Sequence, residues 1–251
     1  MYGDLDRPPL RPLALARALA PDGWRLEVLP ETGSTNAVVL ERAARGEAAG
    51  LVVVAESQTA GRGRLDRTWV SPPRAGLTFS VLLRPDLPPA RWGWVPLWGG
   101  LAVARALRER TGVDAVVKWP NDVLVGGRKV CGLLASASDG ALVLGIGLNV
   151  TTRADELPQD RPATSLLLEG ATTTDRDTVL RAVLRSLGAT LAAADADAYR
   201  AGCSTVGQRV RVELPDGAVE GTATGVDDDG RLLVEGVPYG AGDVVHLRSA
   251  S

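Results

Sequence analysis

The sequence predicts an α+β fold: a mixed, largely antiparallel sheet flanked by helices, followed by a small β-barrel. Three observations predict it. Helical periodicities and strand-like apolar runs share roughly the first two hundred residues. The strands after Ala115 are separated by hairpin signals, and from about Cys203 short strands recur at regular spacing.

Taken in order, the first thirty residues carry prolines at 8, 9, 12, 21 and 30 and one short helical pattern around Leu13 to Ala20, too little for a helix-turn-helix unit. Ser34 or Thr35 is placed to cap a helix through Val38, Val39, Leu40 and Ala43 that stops at Gly46. Leu51 to Ala55 is a continuous β-branched run, read as a buried strand feeding the glycine- and arginine-bearing segment Gln58 to Arg67. Leu77 to Leu83 is a second strand, and Val95 to Arg110 has helical spacing that ends at Gly112. Strands follow at Ala115 to Trp119, Val123 to Val125, Lys129 to Ser136 and Ala141 to Val150, with turns at Pro120-Asn121-Asp122, Gly126-Gly127 and Asp139-Gly140. Thr178 to Ala194 is an amphipathic helix. The last strands are Arg209 to Leu214, Val219 to Val226, Arg231 to Val234 and Val244 to Leu247, which close most simply as a barrel. The division expected is 1–202 and 203–251.

Composition excludes several chemistries. A chain of 251 residues, 45% hydrophobic and 23% charged, holds one substantial core and a small second domain. Its formal net charge of -2 leaves no overall footprint for nucleic acid, so no DNA role is expected. No apolar stretch approaches the roughly 18 residues of a membrane span. The start carries Asp4, Asp6 and prolines in place of a signal-peptide apolar region, so a cytoplasmic location and no membrane are expected. With Cys131, Cys203 and His246 the only cysteines and histidine, a disulfide framework, a Cys/His zinc site and a histidine-based triad all lack parts. Of 28 basic residues only Lys118 and Lys129 are lysines, and asparagine occurs only at 36, 121 and 149, each in a short polar segment between apolar stretches.

Gly61-Arg62-Gly63-Arg64, with Arg67, joins backbone freedom to guanidinium groups and suits an anion such as phosphate, although a solvated surface loop explains the same composition. It is neither a Walker loop nor a Rossmann fingerprint. Lys118-Trp119-Pro120-Asn121-Asp122 sets a lysine at a strand end, where an ammonium can bring two anions into reacting distance; the bland alternative is a turn with Trp119 as core. Gly145-Ile146-Gly147-Leu148-Asn149 places glycines in a strand, the mark of close approach by backbone or ligand, or of a bulge. Trp92, Trp94 and Trp98 are explained most cheaply by helix packing.

Together, Ser34-Thr35-Asn36, then Gln58 with Gly61 to Arg64 and Trp69, then Lys118 to Asp122, then Gly145 to Asn149 resemble the biotin protein ligase family in order and spacing. The segment Arg128-Lys129-Val130-Cys131-Gly132-Leu133-Leu134 is also similar to that family's. The resemblance runs from about residue 25 to the end. It implies a class II synthetase-like catalytic domain with an SH3-like C-terminal barrel, in the monofunctional class without an N-terminal DNA-binding domain. It further implies that Ser34, Thr35, Asn36 and Gln58 bind the biotin head group, and that Arg62, Gly63 and Arg64 close over its carboxylate and the adenylate phosphate. Lys118 and Arg62 are the implied catalytic residues, Lys118 bridging carboxylate and α-phosphate; Trp69 is implied to lie near the adenylate, and Asn121 and Asn149 to shape loops or lie near the nucleotide. Leu65-Asp66 departs from the family pattern, and Asp66 would weaken the loop's positive field.

The implied substrates are biotin and ATP with Mg²⁺, whose ligands the sequence does not name, and the partner is the carrier domain of a biotin-dependent carboxylase. A homodimer stays open, because strand edges that pair between subunits look like any others. The chemistry suits the composition: a carboxylate attacks the α-phosphate, pyrophosphate leaves, and an acceptor lysine attacks the resulting mixed anhydride without a covalent enzyme intermediate. The rival readings are a lipoate or octanoate ligase of the same architecture and a non-catalytic regulator that senses biotin.

Overall fold

The computed structural model describes residues 7–64, 67–138, 140–214, 217–240 and 243–247. The Leu65-Asp66 departure therefore lies outside the described residues. Helix α1 (Pro12–Leu19) leads into β1 (Arg25–Leu29), α2 (Thr35–Ala44), β2 (Leu51–Ala55), β3 (Gly76–Leu83) and α3 (Trp94–Thr111). Strands β4 (Ala115–Lys118), β5 (Asp122–Val125), β6 (Arg128–Ser138) and β7 (Ala141–Asn149) follow, then α4 (Arg176–Ala193) and α5 (Ala196–Gly202). The chain ends in β8 (Arg209–Leu214), β9 (Gly217–Val226), β10 (Leu232–Val234), β11 (Val237–Tyr239) and β12 (Asp243–His246).

Seven strands form one sheet in the order β1-β2-β3-β7-β6-β5-β4. Only the β1/β2 pair is parallel; every other pair is antiparallel, so the sheet is mixed and largely antiparallel as the hairpin signals predict. Strand β1 and helix α5 were not legible as elements: β1 is only partly buried, and α5 has just seven residues. The remaining strands form a five-stranded antiparallel sheet, β11-β10-β9-β8-β12, in which the ten-residue β9 pairs with both β8 and β10.

The two faces of the large sheet are covered unequally. On one, Leu77, Phe79 and Val81 of β3 pack with Trp94, Trp98 and Leu101 of α3 and Leu180, Val183 and Leu187 of α4, forming the principal core. Trp94 and Trp98 stack with ring centroids 5.5 Å apart, and both are fully buried, so they are packing residues. On the other face, Val39 and Ala43 of α2 cover only Leu51, Val53, Leu82, Ala141 and Val143. Along the strands beyond that patch the same face changes to Ser80 and Thr78 on β3, paired in register with Gly145 and Gly147 on β7. A ten-residue helix cannot reach that far, and this uncovered stretch is the floor of a cleft.

Candidate active-site cleft

The cleft is lined by the start of α2, the loop from Gln58 to Val70, the turn at Asn121-Asp122, the start of β6, glycines of β6 and β7, and residues from Pro158 to Ala163.

Its polar end is built at the N-terminus of α2. Ser34 occupies the N-cap position but its side chain makes no capping bond. The cap comes instead from Gln58, whose Oε1 accepts from the Thr35 backbone N–H at 2.8 Å and lies 3.1 Å from Thr35 Oγ1. Gln58 is carried there because Thr32 bridges it in parallel and the N–H groups of Thr59 and Ala60 donate to Thr32 and Gly33. The fully buried Ser80 hydroxyl stands 2.7 Å from Thr35 Oγ1 and 2.5 Å from Asn36 Oδ1, while Asn36 Nδ2 donates to the Leu134 carbonyl at 3.3 Å. A Cβ at Gly145 would overlap the Asn36 amide, with its nitrogen at 2.9 Å. The approach to Gly145 is thus by the side chain of Asn36, not by the backbone, ligand or bulge that the glycine pattern suggested.

Two residues further along β7, about 7 Å at the rise of a strand, the lining becomes cationic. Trp69 lies on Gly147 and Gly132, which are partners in register; a Cβ at Gly147 would stand 2.8 Å from the indole nitrogen. That Nε1 is buried without a hydrogen-bond partner among the described residues. Lys129 Nζ sits 5.9 Å from the Trp69 ring centroid and 2.5 Å from Asp122 Oδ1. The main chain of Lys129 is fixed by bonds to Pro162 and Thr164. Segments 61–64 and 67–69 pair with each other, Arg62 bridging Thr68 and the Trp69 N–H donating to the Gly61 carbonyl at 3.0 Å. Arg64 Nη1 reaches Asn121 Oδ1 at 3.4 Å. Asn121 is immobilised by donating to the Leu133 carbonyl at 2.8 Å, and Asn149 donates to the Thr164 carbonyl at 2.9 Å.

Arg62, Arg64, Arg67, Arg161 and Lys129 face one carboxylate, Asp122, among the described lining residues, so a chain of net charge -2 concentrates positive charge here. Such a wall holds anions. The described residues contain no cluster of three or more His, Cys, Asp or Glu suited to a metal. A magnesium ion carried in on phosphates needs only one or two carboxylates from a protein, and Asp122 meets that requirement.

Ser34, Thr35, Asn36, Gln58, Arg62, Gly63, Arg64, Trp69, Asn121 and Asn149 all line the cleft. Lys118 does not. It lies close enough to His246 on β12 for its charge to help push the imidazole down to about 4, second to burial. The register nevertheless puts Lys118 on the cleft face of the sheet, opposite Asp122 in the row that continues through Gly132 and Gly147, while Lys129 enters the lining from β6. Both signals for Lys129 were present, its rarity and its place in the Arg128 to Leu134 segment. Ser80 carried none, being one hydroxyl in an apolar strand.

Residues 28–152 match the biotin/lipoate A/B protein ligase family, and residues 205–247 match the biotin protein ligase C-terminal domain. The biotin protein ligase of Aquifex aeolicus in complex with biotin and ATP superposes with a TM-score of 0.77 at 32% identity, covering 88% of this chain and 99% of that one. The Leishmania major biotin protein ligase in complex with biotinyl-5-AMP gives 0.63 at 27% identity, covering 89% and 98%. The biotin--[acetyl-CoA-carboxylase] ligase of Mycobacterium tuberculosis is 45% identical, across 96% of this chain and 97% of its own length. With that identity sustained from end to end, and both of its sheets matched, the chain belongs to the biotin protein ligase family.

Proposed function

We propose that the chain activates biotin with ATP to biotinyl-5'-AMP and transfers the biotinyl group to a lysine of a biotin carboxyl carrier domain. The observation that carries this reading is the hydrogen-bonding cluster of Thr35, Asn36, Gln58 and Ser80 set one strand step from the cationic group of Lys129 and the arginine loop. A ureido head offers one acceptor and two N–H donors to that cluster. A dithiolane or an alkyl chain has neither a carbonyl nor an N–H to exchange with that cluster, a basis for preferring biotin over lipoate and octanoate.

Lys118, on the cleft face beside Asp122, is the residue we assign to the meeting point of carboxylate and α-phosphate, with Lys129 of the cleft lining as a second cation there. Arg62 and Arg64 neutralise the phosphates and, with Gly63, cover the anhydride from water; Trp69 offers its unpartnered N–H and its ring to the adenylate. Asp122 would hold a magnesium ion, whose part is to offset phosphate charge as pyrophosphate departs.

Pyrophosphate exchange into ATP, measured with biotin, lipoate and octanoate separately, tests the assignment. Exchange with biotin alone is expected. Exchange with lipoate, or with none of the three, overturns it.

A further inference from the structure

Thr205 lies between α5 and β8, outside the cleft and fully buried. Its Oγ1 accepts the Trp119 backbone N–H at 3.0 Å and stands 3.1 Å from His246 Nε2. Around it the same turn is gripped from the C-terminal side at three further points. The Ser204 N–H and Ser204 Oγ both donate to the Val117 carbonyl at 2.8 Å, and Trp119 Nε1 donates to the Gly230 carbonyl at 2.9 Å. On the cleft side the turn is tied by Asn121, whose carbonyl accepts the Leu133 N–H at 2.9 Å and whose amide donates back to Leu133.

We infer that Thr205 is a positioning residue for the adenylation site, holding the Trp119-Pro120 turn so that Asn121 meets Arg64 and Asp122 meets Lys129. This rests on the ligase reading for its kinetic consequence but not for its structural one. The argument is one of satisfaction. Trp119 sits at the end of the β4/β5 ladder, which closes at Lys118 and Asp122, so its N–H has no partner within the hairpin. Pro120 has no N–H to offer. A hydroxyl from outside the sheet is thus what fixes the backbone two residues before Asn121, and a methyl group in its place would leave a buried donor unpaired. Because the Arg64–Asn121 hydrogen bond is already long at 3.4 Å and such bonds fall off steeply with displacement, a small shift of the turn breaks it and moves Asp122 relative to Lys129. The head-group cluster on α2 and β3 shares no hydrogen bond with this turn and should not feel the change.

The test compares Thr205→Val, which keeps the shape, with Thr205→Ser, which keeps the hydroxyl. The first readout needs no substrate. The chain has three asparagines, at 36, 121 and 149, so selective ¹⁵N-asparagine labelling gives three side-chain amide pairs. The Asn121 pair is expected to shift in Thr205→Val and to return in Thr205→Ser, with Asn36 unmoved in both. The second is biotin-dependent exchange per active site titrated with biotin and ATP. In Thr205→Val kcat should fall about tenfold with KM for biotin within about twofold, and Thr205→Ser should recover most of the loss. Trp119→Phe, which removes the bond to Gly230 together with part of the buried ring, should shift Asn121 the same way and serves if Thr205→Val does not fold. An unmoved Asn121 pair, a shift spread equally to Asn36, or failure of the serine variant to rescue overturns the inference. Absence of exchange in the unmodified chain would overturn the ligase reading while the amide shifts still decide this one.

Discussion

Arginine at position 129 would keep a positive charge beside Asp122 but replace a compact ammonium by a broad fork, which cannot sit between two reacting anions on the Trp69 face. Lys129→Arg is expected to lower biotin-dependent exchange about a hundredfold, roughly 2.7 kcal/mol of transition-state stabilisation. Lys118→Arg is expected to lose most adenylation for the same reason, and steady-state exchange on the two variants checks the pair. His246 yields a second outcome. Burial first and Lys118 second push its imidazole down from 6.5 to about 4. An unfolded chain therefore binds a proton that the folded one refuses between those values, so stability falls as pH drops from about 6.5 toward 4. His246→Gln should flatten that part of the stability curve, measured by denaturant midpoints at each pH. At this scale the sequence was informative where residues were rare. Asn36, Asn121 and Asn149 all line the cleft, whereas the rows that set Lys118 opposite Asp122 and bring Lys129 in from β6 are properties of register that no local pattern shows.

The glycines of β6 and β7 work through what they lack. A Cβ at 147 would occupy the place of the Trp69 ring, and because Trp69 belongs to a loop, the ring would swing away before the strand moved. Gly147→Ala should change folding stability by under about 1 kcal/mol yet lower exchange about tenfold, a split that thermal unfolding and kinetics on one preparation would expose. Parity of both measurements with the parent would show that Trp69 has no bearing on the reaction. Elements with sustained periodicity were legible: α3 ends at Gly112 and α2 at Gly46, each glycine at positive φ. The cap of α2 was not, because the sequence offers Ser34 and Thr35 locally, whereas Gln58 arrives through the parallel pairing of Thr32, a contact across 23 residues in the case of Thr35.

Across the whole molecule, buried ion pairs tie the start of the chain to the back of the sheet. Arg176 pairs with Glu56 at 2.6 Å with both side chains at or below 10% exposure, donates to the Pro8 carbonyl, and leaves Glu56 to accept the Leu10 N–H. Arg7 pairs with Glu156, whose carboxyl is held below its usual range chiefly by that bond. Glu56→Ala would strand a buried guanidinium and should cost about 3 kcal/mol, lowering the thermal midpoint by roughly 6–12 °C in a chain of this size; calorimetry showing under about 2 °C would contradict the role. No periodicity reveals such pairs, since each joins residues more than a hundred positions apart. The lysine count carries its own consequence here. A mixed anhydride that escapes the cleft acylates whatever amine it meets, and this chain offers only two side-chain amines, one ion-paired inside the cleft and one set against His246. The surface that releases the reagent is nearly inert to it, so a leaking variant would mark its neighbours while leaving itself almost unlabelled.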